Sequence, residues 1–140
     1  MTEFRFNVFT DYNQFVVFDS HAEWGNDDWT DQAIEDMFMQ GEGYIAVGTK
    51  RRFHAPVTVH VADGDLPGIK ADRAQHGILS IPSGVLEVSG VTDGGRSGGS
   101  IKVTPGDYRV TVDYLNLDSV DPDEIEGDDR YIVTLDLIER

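Results

Sequence analysis

The residues able to do chemistry are mostly carboxylates. The chain carries 26 Asp and Glu against 11 Lys and Arg, and no cysteine. Thiol nucleophiles, disulfides and cysteine-held metal centres are therefore excluded. His21, His54, His60 and His76 are scattered, with no HxH or HExxH spacing to build a zinc or iron site. Ser80, Ser83, Ser89 and Ser97 lack the G-x-S-x-G turn that exposes a nucleophilic serine. The glycine-rich run Gly94–Gly99 is not followed by Lys-Ser/Thr and is no phosphate-binding loop. Paired carboxylates could do glycosidase chemistry, but with 26 acids such pairs arise by chance. The chemistry on offer is binding, with no catalytic residue and no cofactor expected.

The acids are unevenly placed. Seven lie between Asp19 and Asp36 and eight between Asp113 and Asp129, and neither segment holds a Lys or Arg. The remaining eleven equal the eleven bases, so the net charge of −15 resides in these two segments. Such a field repels nucleic acid and anionic membrane and attracts cations or basic proteins. Solubility needs less charge than this. The expected partner-binding residues are Trp24, Asp27, Asp28, Asp31, Glu35 and Asp36 in the first segment. In the second they are Asp121, Asp123, Glu124, Glu126, Asp128 and Asp129. Trp24, between Glu23 and Gly25, suits a partly exposed anchor, whereas Trp29 reads as core. Calcium is the competing ligand. An EF-hand loop begun at Asp121 would need a ligand at its fifth position and Gly at its sixth, where Ile125 and Glu126 stand. Only a loosely organised calcium site remains open, within a second reading as a calcium- or carbohydrate-binding module. Lys50-Arg51-Arg52, the one basic cluster, reads as a guard on a strand edge or an internal partner for the acids.

The elements that must position these residues are mainly strands. Phe4, Phe6 and Val8 alternate with polar residues; Gln14–Phe18, Tyr44–Thr49 and Val57–Ala62 are short and apolar. Gly77–Ile81 and Val85–Val88 read as a pair around the turn Pro82-Ser83-Gly84. Ile101–Thr104 leads through Pro105-Gly106-Asp107 into Tyr108–Leu117, and Tyr131–Ile138 closes the series. About eight strands predict an antiparallel β-sandwich or open barrel, forming one domain over residues 1–140. One helix is predicted at Thr30–Gln40, burying Ile34, Met37 and Phe38 and turning Asp28, Asp31 and Glu35 outward. No signal peptide or 18-residue apolar span is visible, which predicts a cytoplasmic protein.

The stretch Asp28-Trp29-Thr30-Asp31-Gln32-Ala33-Ile34-Glu35 resembles the D-W-T-D-x-A-I-E segment of the competence protein J family. The resemblance extends to Tyr12-x-x-Phe15-x-Val17-Phe18, Gly43, Pro105-Gly106-Asp107-Tyr108 and Tyr131-Ile132-Val133. It implies an inhibitor of a bacterial nuclease that cleaves DNA as it enters the cell. The partner would be a basic protein, met by carboxylates standing where phosphates would bind.

Overall fold

Alternation makes the strands, and its phase decides which side chains meet. Tyr108, Val110, Val112 and Tyr114 are buried on one face of their strand, as are Tyr131, Val133 and Leu135 on theirs. The structure is a computed structural model that describes residues 2–24, 28–64, 66–92 and 97–139, the side chain of Glu139 excepted. Its strands are β1 (Thr2–Phe9), β2 (Gln14–Asp19), β3 (Phe38–Gly41), β4 (Tyr44–Gly48) and β5 (His54–Val61). Then come β6 (Arg73–Ile81), β7 (Val85–Gly90), β8 (Gly99–Lys102), β9 (Gly106–Leu115) and β10 (Arg130–Glu139). One helix, α1 (Asp31–Asp36), and a 3₁₀ turn at Leu117–Ser119 complete the described elements.

The strands form two five-stranded sheets, ordered β1-β5-β10-β9-β6 and β3-β4-β2-β7-β8. Their inner faces enclose one core, with Phe15, Val17, Ile45, Val47, Leu86 and Ile101 from the second sheet facing the tyrosines and valines of the first. The sandwich is as predicted, with ten described strands in place of about eight and no closure into a barrel. Pairing is antiparallel except between β10 and β5, which run parallel.

Two predicted elements differ. The turn Pro82-Ser83-Gly84 does not pair its flanks; it carries the chain from β6 in one sheet to β7 in the other. Asp19 fixes that crossing. Its Oδ1 accepts Ser83 N at 3.0 Å and Ser83 Oγ at 2.5 Å, and its Oδ2 accepts His21 N at 3.1 Å. The helix stops at Asp36 rather than Gln40. Met37 turns into the left-handed region at φ 57°, and Phe38 begins a strand paired with β4. Helical spacing placed Ile34, Met37 and Phe38 on one buried face; Ile34 is instead 60% exposed. The β-sheet partner available at Val47 outweighs a local pattern only three turns long.

Both outer faces carry a covering segment. On the second sheet, Trp24 and Trp29 lie over Val16, Tyr44 and Ala46. On the first, Ile69 and Lys70 line a groove with Thr58, His60 and Ile132. No helix among the described residues is long and apolar enough to cross a membrane.

Candidate functional site

The strand register assigns every element two ends. The starts of β2, β3, β5, β6 and β10 meet the ends of β1, β4, β7 and β9 at one end, here the head. The turn holding Asp19 and Ser83 lies at the other. α1 enters β3 at the head, and the segment after β9 runs through the head into β10. Both acidic segments therefore reach the same end of the sandwich.

Two consecutive residues link them. Asn13, at φ 58°, occupies the left-handed conformation that Asn tolerates better than most. Its Nδ2 donates toward Thr49 O (3.2 Å), Lys50 O (3.3 Å) and Glu124 Oε1 (3.2 Å). Gln14 Oε1, one residue on, accepts Trp29 Nε1 at 3.0 Å. The first segment thus rests on Gln14 and the second on Asn13.

α1 is short but well terminated. Thr30 Oγ1 caps its start by accepting Ala33 N at 3.0 Å. Its last carbonyls are taken up by the body of the protein. Arg73 donates to Glu35 O at 3.1 Å and Gln75 to Asp36 O at 3.1 Å. The Met37 carbonyl accepts both Gly48 N (2.8 Å) and the Tyr114 hydroxyl (2.5 Å). Burial pushes the Tyr114 hydroxyl pKa far above the ordinary tyrosine value, so it stays a donor. On this fixed turn Asp28, Asp31 and Glu35 are exposed, while Asp36 is half-buried and accepts Gln32 Nε2 at 2.9 Å. Asp31 in the first turn also lies where the backbone dipole favours an anion.

The second segment folds back on itself. Asn116 Nδ2 donates to Asp128 O, and Ser119 Oγ accepts Asp128 N at 2.7 Å. Asp121 Oδ1 accepts Ile125 N at 3.1 Å, so this half-buried carboxylate shapes the loop. The Glu124 carbonyl accepts Arg52 N at 2.8 Å. Asp123, Glu124, Glu126 and Asp128 are exposed.

One of the expected residues, Asp129, is buried where the sequence suggested exposure. Asp129 is wholly buried, 2.5 Å from Arg51 and accepting the Tyr131 hydroxyl at 2.6 Å. It is the internal partner of the basic cluster and faces no outside molecule. Burial, reinforced by the bond to Asp129, drives the Tyr131 pKa well above its usual range. Trp24 is half-buried, partly exposed as expected, its ring 5.3 Å from that of Phe18 on the outer face of the second sheet, where it lines a pocket with Trp29 and Gln14. Asp27 lies outside the described residues. Trp29, expected in the core, is also half-buried.

The sequence did not single out the apolar part of the head. Tyr12, Trp29, Ile34, Met37 and Gly48 line a groove of about 320 Å³ between α1 and the Asn13 turn. Tyr12 is 74% exposed and Ile34 60% exposed, large apolar surfaces at one place. The sequence signal for Tyr12 was a lone aromatic between Asp11 and Asn13, in a turn.

Among the described residues, no three His, Asp or Glu converge to hold a metal. His60 Nε2 instead meets Glu3 Oε1 at 2.9 Å, and His76 meets Thr111 Oγ1 at 3.2 Å.

A model of the family described as Competence protein J (ComJ) matches residues 7–138. Two solved structures share the fold. The crystal structure of ComJ from Bacillus subtilis, described as an inhibitor of the DNA degrading activity of NucA, superposes with a TM-score of 0.73 at 18% identity. That match covers 99% of this chain and 96% of the other. The protein described as crocagin biosynthetic gene J gives a TM-score of 0.57 at 15% identity, covering 98% of this chain and 99% of the other. No curated protein sequence matches.

Proposed function

The chain belongs to the competence protein J family, and on that premise we propose that it inhibits a DNA-degrading nuclease. The nuclease would be a basic protein, blocked by direct binding without any catalysis by the inhibitor. The observation that carries the reading is the arrival of both acidic segments at one end of the sandwich, tied to Asn13 and Gln14.

A nuclease that cuts DNA must hold phosphates with cationic groups. Asp28, Asp31 and Glu35 on one side, and Asp123, Glu124, Glu126 and Asp128 on the other, offer such a groove carboxylates in place of phosphates. Their bases are hydrogen-bonded into the body, so little ordering is needed on binding. Complementary charge speeds encounter and makes the interaction weaken as salt rises. Asp121 and Asp129 act from within the loop, and Asp36 at its half-buried position borders the surface.

The test is DNA cleavage by a NucA-type nuclease with increasing amounts of this protein. Cleavage should fall to the background at stoichiometric excess, and inhibition should weaken with added salt. Undiminished cleavage at large excess refutes the proposal. The variant Asp31→Asn/Glu35→Gln/Asp123→Asn/Glu126→Gln should fold normally and inhibit much less.

A further inference from the structure

The acidic head has an apolar centre. Resting on the nuclease-inhibitor reading, we infer that the groove between Tyr12 and Ile34 receives an arginine side chain of the nuclease. Charge alone gives a wet and salt-sensitive contact; affinity comes mainly from a desolvated centre within the charged rim. The groove has that form. Its floor is Met37, 9% exposed, beside the buried Gly48; its walls are the rings of Tyr12 and Trp29 and the side chain of Ile34.

The floor is built to stay open. A Cβ at position 48 would stand 3.0 Å from Met37 Cα, so a larger residue there would push the helix end a few tenths of an ångström away from β4. Met37 is held there by two hydrogen bonds to its carbonyl, which keeps Ile34 and Trp29 in place.

The rim selects the occupant. Asp28 precedes Trp29 in the chain, and Asp31 stands one helical turn before Ile34, on the same side of α1. Across the groove, Asn13 holds the exposed Glu124. A purely aliphatic side chain would leave these carboxylates unanswered. A side chain with an apolar stem and a cationic end satisfies both parts. Between two aromatic walls the planar guanidinium of arginine stacks better than a lysine ammonium.

Tyr12→Ala, Ile34→Ala and Ile34→Arg test the groove, with Ile78→Ala, exposed on β6, as the control. Melting temperature should be unchanged in the alanine variants, because both side chains lie largely in solvent. The inhibition constant should rise about tenfold or more for Tyr12→Ala, further for Ile34→Arg, and remain unchanged for Ile78→Ala. Each surface arginine of the nuclease is then replaced by alanine in turn. One replacement should be non-additive with Tyr12→Ala. If the wild-type protein does not inhibit at all, the nuclease reading itself fails. If it inhibits and the groove variants match it within twofold, the groove is not the centre. Additivity with every arginine, or coupling to a lysine or an apolar residue instead, overturns the assigned occupant.

Discussion

Asn13 and Glu124 stand 111 positions apart in the chain, yet the amide of one lies 3.2 Å from the carboxylate of the other. The same amide reaches the carbonyls of Thr49 and Lys50, from a backbone with φ 58°. Two substitutions separate side chain from backbone. Asn13→Gly keeps the backbone and loses the bonds, for about 1 kcal/mol. Asn13→Ala adds the left-handed penalty, roughly another 1 kcal/mol. Thermal melts should rank the proteins wild type, glycine, alanine; equal losses would mean that φ at this position costs nothing.

Arg51 and Asp129 form an internal ion pair, the guanidinium 2.5 Å from a wholly buried carboxylate. Removing one partner strands the other charge, so Arg51→Met should cost about 3 kcal/mol in urea unfolding. Arg51→Met/Asp129→Asn should recover part of that loss. The fraction that remains folded should still inhibit the nuclease.

Trp24→Ala is expected to damage the fold and spare the binding surface. The half-buried indole covers the outer face of the second sheet beside Phe18, and its loss should cost about 2 kcal/mol, below the range for fully buried tryptophan. Chemical denaturation measures the loss. A large fall in inhibition with stability unchanged would return Trp24 to the contact surface.

Asp113 on β9 is 8% exposed, and burial raises its pKa, only partly offset by His76 and His60. The folded state therefore favours the neutral acid. That preference is present below the unfolded value of roughly 3.9 and lost as pH rises through the folded value. At neutral pH the charge is a burden, so Asp113→Asn should raise the melting temperature. The gain should disappear below the carboxylate range. A gain constant across pH would rule out ionisation as its source.

Asp19 shows the opposite sign. Burial works to raise its pKa, but the hydroxyl and amide of Ser83 and the amide of His21 together hold it below the usual carboxylate value. The stability it contributes is present above the unfolded value and lost as pH falls through the folded one. Ser83→Ala removes the 2.5 Å donor and leaves burial less opposed. Acid unfolding followed by tryptophan fluorescence should then have its midpoint at higher pH.

Strands were legible where one face is buried. Tyr108 to Tyr114 announce β9 by alternation, and the turns at Pro82 and Pro105 mark true chain reversals. What those turns join was not legible, since a hairpin and a crossing between sheets begin with the same Pro-Ser-Gly signal. Thr30 was readable as a cap because its hydroxyl acts locally. The helix end was not, because Met37 is held by Gly48 and Tyr114, distant in the chain. The charge segments were plain in composition, but which acids face outward depends on such remote partners. Asp129 looks like its neighbours until Arg51 and Tyr131 are placed around it. The groove was invisible for the same reason, its lining coming from Tyr12, from Trp29 and Ile34, and from Gly48 on three separate stretches.

The order of the first sheet has a consequence in time. β10 follows the nine other described strands in the chain, yet it lies at the middle of its sheet, between β5 and β9. β1 and β5 can pair before β10 is in place, and so can β6 and β9, but within this sheet it is β10 that joins the two halves. Tyr131 comes with it, and so does the hydroxyl that receives Lys50 N and neighbours Asp129. Most pairings that complete the sheet span long stretches of chain, which slows folding. The head of the molecule therefore takes its final shape only once β10 has docked, and the acidic surface becomes competent to bind last.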